Sequence, residues 1–491
     1  MTFNKRLSIL AILTVLLNCS YAQIAPKWTV ELKGLGTFSS PRAADLNNDG
    51  IKDVILGCGR EEFEKADTAV IALNGKDGSM LWYVGARDQM FGSAAIYDID
   101  GDQIDDVIIS GRSAELKAIS GKSGKIIWEF TEISEPKKLR ELGFYNFYNP
   151  QVIEDQNGDG KKDILIANGG DVTKKPEEKD RPTGQLFIID GKNGKIISRA
   201  LMPDEKEIYC STVITKLSPE DEDFSVIFGT GGETIGGSMY ISSLKAVRSG
   251  DISKAIAIAS SPEKGFIAPP LLIDVTKDGT LDVLINAVDG RMIAVDGKSK
   301  SMLWQSLTPS SEAYGSIAAG NFFEKDKLDF FSVYASGVWP NLTNSKQRLI
   351  DGTTGEAIFT GTMGSVQTST PIIADITQDG FDDALLSVNI FVETFPLKDY
   401  FNALVLYDFK NKSVHQFTRA QFGLNLASTP WVGDLDNDGK FDIIYCNHTE
   451  SRNVFAMNDL RVNLIKTDID IKTPVKWGAY MGSDYDGIFK D

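Results

Sequence analysis

The chain has 491 residues but only four cysteines and two histidines. Cys19 falls in an N-terminal segment treated below, which leaves Cys58, Cys210 and Cys446. An odd number leaves at least one thiol unpaired within the chain, so this is not a disulfide-stapled scaffold. His415 and His448 stand alone, and a solitary histidine is more often a packed structural residue than a catalyst. No G-x-S-x-G elbow and no H-E-x-x-H pattern occurs. Positive charge is short: 51 Lys and Arg face 68 Asp and Glu, a formal net charge of −17. That balance argues against nucleic acid and anionic lipid as partners. Beyond the N-terminus no apolar run is long enough to span a bilayer, and no helix-period stretch of useful length appears.

Residues 1–22 read as an export signal. Lys5 and Arg6 precede an apolar run from Leu7 to Leu17, and Ser20-Tyr21-Ala22 places small residues at −3 and −1. Cleavage is expected before Gln23, with delivery to the periplasm, the cell surface or the exterior. Cys19 raises the rival reading of lipid attachment, but its flank Leu16-Leu17-Asn18 matches that pattern poorly.

What the chain has in quantity is one acidic loop, repeated. Asp45, Asn47, Asp49 and Asp53 stand at positions 1, 3, 5 and 9 of a nine-residue stretch, with Gly50 at position 6 and the Ile51 carbonyl as a further acceptor. Alternate oxygens on a tight loop suit Ca²⁺, a hard cation that takes six to eight of them. No Glu stands at position 12, so this is not an EF-hand. The pattern returns as Asp98, Asp100, Asp102 and Asp106, with the glycine moved to position 4 (Gly101). It returns again as Asp155, Asn157, Asp159 and Asp163, and as Asp274, Thr276, Asp278 and Asp282. The last two copies are Asp375, Thr377, Asp379 and Asp383, then Asp434, Asp436, Asp438 and Asp442. Six intact loops predict about six calcium ions. Two eroded copies, Ser218–Phe224 and Asn321 to Asp329, complete a series of eight units. A period of this length points to a propeller or a solenoid.

Each unit continues in the same order. In the second, residues 92–98 lead into the loop, 106–111 leave it as a β-branched run, 115–120 alternate, and 125–130 follow the turn Gly121-Lys-Ser-Gly124. The turn recurs at 74–78, 190–194 and 351–355, and Trp82, Trp128, Trp304 or Phe359 marks the fourth strand as a wedge between units. Four short antiparallel strands per unit specify an all-β fold, a β-propeller of eight blades with seven as the alternative. It makes residues 23–491 one domain. Residues 27–32 and 462–469 compete for the last strand of the final blade, and the tail 477–487 reads as the other end of the closure. Cys58 and Cys446 follow the loops of units one and eight, ring neighbours, so a disulfide and two separate buried thiols both stay open.

The loop-and-strand half, as in DLNNDGIKDVILG and DLDNDGKFDIIYC, resembles FG-GAP/VCBS repeats of the integrin α-subunit type. The turn-and-Trp half, as in LNGKDGSMLW, and the Trp477 tail resemble the quinoprotein alcohol dehydrogenase-like propellers. The first resemblance implies calcium. The second implies the propeller but not quinone chemistry, because the adjacent Cys-Cys pair of those dehydrogenases does not occur here.

In an up-and-down blade, the acidic loops and glycine turns share one face. The connections 131–149, 171–184, 336–346 and 389–401 fall on the other, where length variation and binding usually reside. Phe144, Tyr145, Phe147, Tyr148, Trp339 and Tyr400, with Phe391, Phe395 and Phe401, are the aromatic candidates for that face. The expectation is a secreted, monomeric, calcium-binding propeller that binds a protein or glycan without catalysis. The alternative is a polysaccharide lyase or another glycan-active enzyme, for which no base stands out.

Overall fold

The computed structural model describes residues 23–131, 145–171, 174–175, 178–394, 397–449 and 457–490. Residues 1–22, where the export signal is expected, Phe144 and Phe395 lie outside them. Eight antiparallel sheets form in chain order, five of four strands and three of five. They are the expected eight blades.

The strand pattern follows from what each strand faces. The second strands, such as Asp53–Gly57 (DVILG) and Asp106–Ser110 (DVIIS), are buried at every residue and read as unbroken apolar runs. The fourth strands sit at the rim and alternate: Met80–Ala86 buries Trp82, Val84 and Ala86 while Tyr83 is exposed. In the eroded fourth blade, a short helix, Leu244–Ser249, replaces the glycine turn, with Ser243 as N-cap and Gly250 in the left-handed region beyond its end.

Trp28–Leu32 closes the ring. It pairs with Leu460–Asp470, Trp28 opposite Leu464 and Leu32 opposite Leu460, so residues 462–469 lie in the third strand of blade 8 and residues 27–32 in its fourth. First and last segments of the chain thus share one sheet.

A tryptophan clasp joins successive blades. The indole Nε1–H of Trp28 donates to Gly75 O in blade 1 (3.0 Å), Trp82 to Gly121 O in blade 2 (2.6 Å), Trp128 to Gly191 O in blade 3 (2.8 Å) and Trp304 to Gly352 O in blade 6 (3.0 Å). The same indoles lie against the later glycine of each turn. A Cβ on Gly124, at φ +68, would come within 2.6 Å of Trp82. Only glycine satisfies both the turn and the ring.

Two expectations are corrected. Residues 336–346 and 389–401 are not loops. They are the ends of long hairpins, Asp329–Val338 with Asn341–Asp351 and Asp383–Thr394 with Leu397–Asp408. The tail does not close the ring either. Val432 N donates to Gly478 O (2.7 Å), Ile373 N to Trp477 O (3.0 Å) and Leu272 N to Gly487 O (2.9 Å), while Arg42 reaches Tyr480 O (3.0 Å). The tail crosses the central channel, touching the inner strands of blades 8, 7, 5 and 1, and Trp477 is fully buried there.

The clasp predicts a graded loss. Trp82→Ala should cost about 3–5 kcal/mol, the usual range for a buried Trp. Trp82→Phe keeps most of the ring contact, loses the hydrogen bond, and should cost ~1–2 kcal/mol. Equilibrium urea denaturation measures both, and equal losses would refute the clasp.

Candidate functional site

The six acidic loops share one backbone. Position 6 takes positive φ in each: Gly50 (84), Gly160 (82), Gly279 (84), Gly380 (87) and Gly439 (80), and Gln103 (73) in blade 2. Position 4 does the same, from Lys277 (57) to Gly101 (84). The glycine that shifts to position 4 in blade 2 therefore marks no change of shape. It relieves one left-handed residue and leaves Gln103 to hold the other.

The first carboxylate folds the loop. Asp45 accepts from Asp49 N (3.2 Å) and Gly50 N (2.9 Å), and Asp434 from Asp438 N (3.1 Å) and Gly439 N (2.9 Å). The ninth is buried and ties loop to turn. Asp53 accepts from Leu46 N and Gly75 N, each at 3.0 Å, and Asp106, Asp163 and Asp282 repeat the bond to Gly121, Gly191 and Gly297. Loops and glycine turns therefore do share a face. Burial pushes the Asp53 and Asp442 carboxyls up to about 6. Among the described residues, two loops bring three carboxylates within ligating reach of one another, Asp98, Asp100 and Asp106, and Asp434, Asp436 and Asp442. These oxygen-only sets fit a hard cation. The Ile51 side chain packs on the core below its loop.

Blade 8 adds a group that the loop pattern does not show. Lys466, directly across the sheet from Asp442, puts its ammonium 2.5 Å from Asp436, 3.0 Å from Asp442 and 3.4 Å from Asp438. The sequence signal was available: a lysine on strand three, in register with the ninth loop position. In the eroded blade 6, Lys327 similarly pairs with Asp351 and stands 3.8 Å from Asp329.

The opposite face carries a cavity of about 980 Å³ at the centre of the ring. Tyr480 of the tail lines it, so the cavity is a funnel with a floor. Its wall includes Phe91, Tyr148, Tyr209, Tyr314 and Trp339. Phe91 and Tyr148 stand 5.5 Å apart, and Tyr148 and Tyr209 6.2 Å. Burial drives the phenols of Tyr148 and Tyr209 well above the usual range. Five carboxylates line the funnel, Glu61, Glu62, Asp171, Glu207 and Glu233, against three cations, Arg112, Lys174 and Arg181. Burial also raises the carboxyls of Glu207 and Glu233. None of these charged residues was singled out from the sequence, because they lie on five different connections.

The aromatic candidates divide. Tyr148 and Trp339 line the funnel. Phe147 does not reach solvent: it is fully buried, with Phe130 and Phe187 at 5.0 and 5.9 Å. Tyr145 packs beside that cluster, and Tyr400 lies tilted against Phe391, ring centres 4.9 Å apart, beside a small core under the hairpins. Cys58, Cys210 and Cys446 are buried free thiols, with Cys58 and Cys446 in one apolar cluster. His448 is buried in blade 8, and His415 bonds Ser413 at 2.7 Å.

A family model described as PQQ_2, outer membrane protein assembly factor BamB, matches residues 43–170. Bovine (Bos taurus) Protein FAM234A is 24% identical over 194 residues, which cover 35% of this chain and 34% of that protein. Mouse (Mus musculus) Protein FAM234B is 22% identical over 195 residues, 38% of this chain and 29% of that protein. The chain thus matches about a third of the length of these curated relatives. Among solved structures, quinohemoprotein alcohol dehydrogenase ADHIIG from Pseudomonas putida HK5 superposes with a TM-score of 0.55 at 12% identity, covering 92% of this chain and 78% of that one. A europium-containing methanol dehydrogenase gives 0.56 at 9% identity, covering 90% and 93%. These likenesses are to a fold, a propeller of the shape that the quinoprotein dehydrogenases share.

The ninth position predicts a pH dependence that blade 6, with its eroded loop, isolates. Burial lifts the Asp329 carboxyl from 3.8 to about 6. Between those values the folded state holds the proton that the unfolded chain releases, so stability falls as pH rises from about 4 to 6. About two units correspond to roughly 3 kcal/mol. Asp329→Asn, which keeps an acceptor for Gly352 N, should remove that share of the slope. Urea midpoints at pH 4, 5 and 6 for both proteins measure it, and parallel profiles would refute it.

Proposed function

We propose that this chain is an exported, calcium-stabilised propeller that binds a ligand in its central funnel without transforming it. The observation that carries the reading is the floored funnel of about 980 Å³ on the face opposite the acidic loops. Ligand sites are concave, rimmed by aromatic rings and a few placed polar groups. The FG-GAP/VCBS resemblance supports calcium, as does the convergence of Asp98, Asp100 and Asp106. In blade 8 an arriving ion has to displace Lys466, so that loop should bind last.

The lyase alternative fares less well on charge. Its substrates would be anionic polysaccharides, and the funnel wall carries five carboxylates against three cations. Burial also keeps the wall tyrosines protonated, which disfavours them as bases.

Metal analysis should find about six calcium ions per chain at saturation, or five if Lys466 holds its loop. Two or fewer would refute the loops as sites. At ~1 mM Ca²⁺ and a Kd of ~0.1 mM each ion contributes about 1.4 kcal/mol, so a chelator should lower Tm by many degrees. A melting curve indifferent to chelator would reject the stabilising role.

For the funnel, hits from a glycan and peptide array should lose at least ~10-fold affinity on Trp339→Ala or Tyr148→Ala, a loss of about 1.4 kcal/mol. Lys192→Ala, on the opposite face, should leave affinity unchanged. The reverse pattern would place binding elsewhere.

A further inference from the structure

The funnel wall built by blades 3 and 4 holds an electrostatic imbalance. Glu207 lies on the connection that leaves blade 3, and its side chain is only 2% exposed. Its Oε2 accepts no hydrogen bond, although the residue lines the cavity. A buried carboxylate oxygen without a donor is costly, and a ligand that brings a donor removes the cost. Glu233, on the connection within blade 4, faces the same space.

The cations nearby are mostly bound to other groups, and only Arg181 also pairs with Glu207. The Arg181 guanidinium stands 3.6 Å from Glu207 Oε2, but its N–H groups donate to the backbone carbonyls of Glu178 (2.7 Å), Lys175 (2.8 Å) and Asp171 (3.2 Å). It holds a connection in shape. Lys264 binds the Glu312 carboxylate and the Glu233 backbone carbonyl. Arg112 pairs with Glu62 at 2.9 Å and bonds the Gln89 side chain at 2.9 Å. The two carboxylates of this wall, Glu207 and Glu233, face the cavity with only Arg181, 3.6 Å from Glu207, and the Glu312-bound Lys264 near them. The rings of Tyr148 and Tyr209 stand beside them, and aromatic faces attract a desolvated cation.

We propose that this wall is a cation-recognition site that takes an ammonium or guanidinium group carried by the ligand. The proposal rests on the funnel being the binding site and names the class of ligand. Such a group supplies several N–H donors to Glu207 Oε2 and the Glu233 carboxylate, neutralises both, and places its apolar stem along the tyrosines. The group has two sources: a lysine or arginine side chain of a protein partner, or a free polyamine. The groups facing Glu207 are Arg181 and Asp171 from the connection within blade 3, Tyr209 from its own segment, Tyr148 from the approach to blade 3, and Glu233 from blade 4. Protonation of Glu207 removes the charge that the ligand seeks, so binding weakens as the solution is acidified.

Isothermal titration at pH 7 with three probes tests this: a short lysine- and arginine-containing peptide, spermidine, and a neutral oligosaccharide. The peptide, spermidine or both should bind, and which of the two does so identifies the source. Glu207→Gln should weaken that binding at least ~10-fold and flatten its fall between pH 7 and 5. Arg181→Met removes the competing internal cation and should tighten binding. An anionic ligand would respond to both variants with the opposite sign, and that result overturns the proposal. So does failure of both cationic probes to bind the unaltered protein. Binding of the neutral oligosaccharide alone, lost on Trp339→Ala, would overturn the cation site yet leave the funnel as the binding site. If Glu207→Gln does not fold, Glu233→Gln carries the same expectation.

Discussion

The structure depends on a buried aspartate at the ninth loop position. Its carboxylate accepts from the backbone of the loop that precedes it and from a glycine of the turn between strands three and four. That same glycine's carbonyl receives the indole of the previous blade. One residue thus joins three segments, and the indole passes the connection to the next blade. Taking a carboxylate out of water is unfavourable, and the raised pKa of Asp53, Asp329 and Asp442, each about 6, registers this. Two or three N–H donors offset part of the penalty. Lys466 offsets more of it in blade 8, where the ammonium lies between three carboxylates.

This clasp divides the molecule in two. The face that carries it is built from short loops and tight turns whose φ angles and contacts leave little room for variation. The other face is not so bound, and there the blades differ: hairpins with strands of ten to twelve residues extend blades 6 and 7, while the connection within blade 3 is held by Arg181. The tail adds the last element. Crossing the channel from blade to blade, it converts a ring with a hole into a ring with a floor, and so makes a funnel capable of enclosing a ligand.

Burial in a ring is reciprocal, so a pattern local to one strand often misleads about its exposure. Phe147 was a fair candidate for the binding face from its neighbours Tyr145 and Tyr148, but its two-residue strand turns it inward onto Phe130 and Phe187. Residues 389–401 carry aromatics, and they form a hairpin in which Phe391 and Tyr400 pair across the strands. Glu207 and Glu233 were silent for the opposite reason. Each is one glutamate among many, and only the curvature of the ring sets them at one wall.

Local spacing alone determined the repeat, the propeller, the loop backbone and the face that loops and turns share. These rest on interactions within a few residues or between adjacent strands: alternating side chains, left-handed glycines, a carboxylate reaching its own loop. The tertiary structure alone decided that residues 27–32 and not 462–469 take the outer strand of blade 8, and that the tail plugs the channel. It also decided which charged residues meet in the funnel. Those outcomes join groups far apart in the chain, and their energies exist only once the ring has closed.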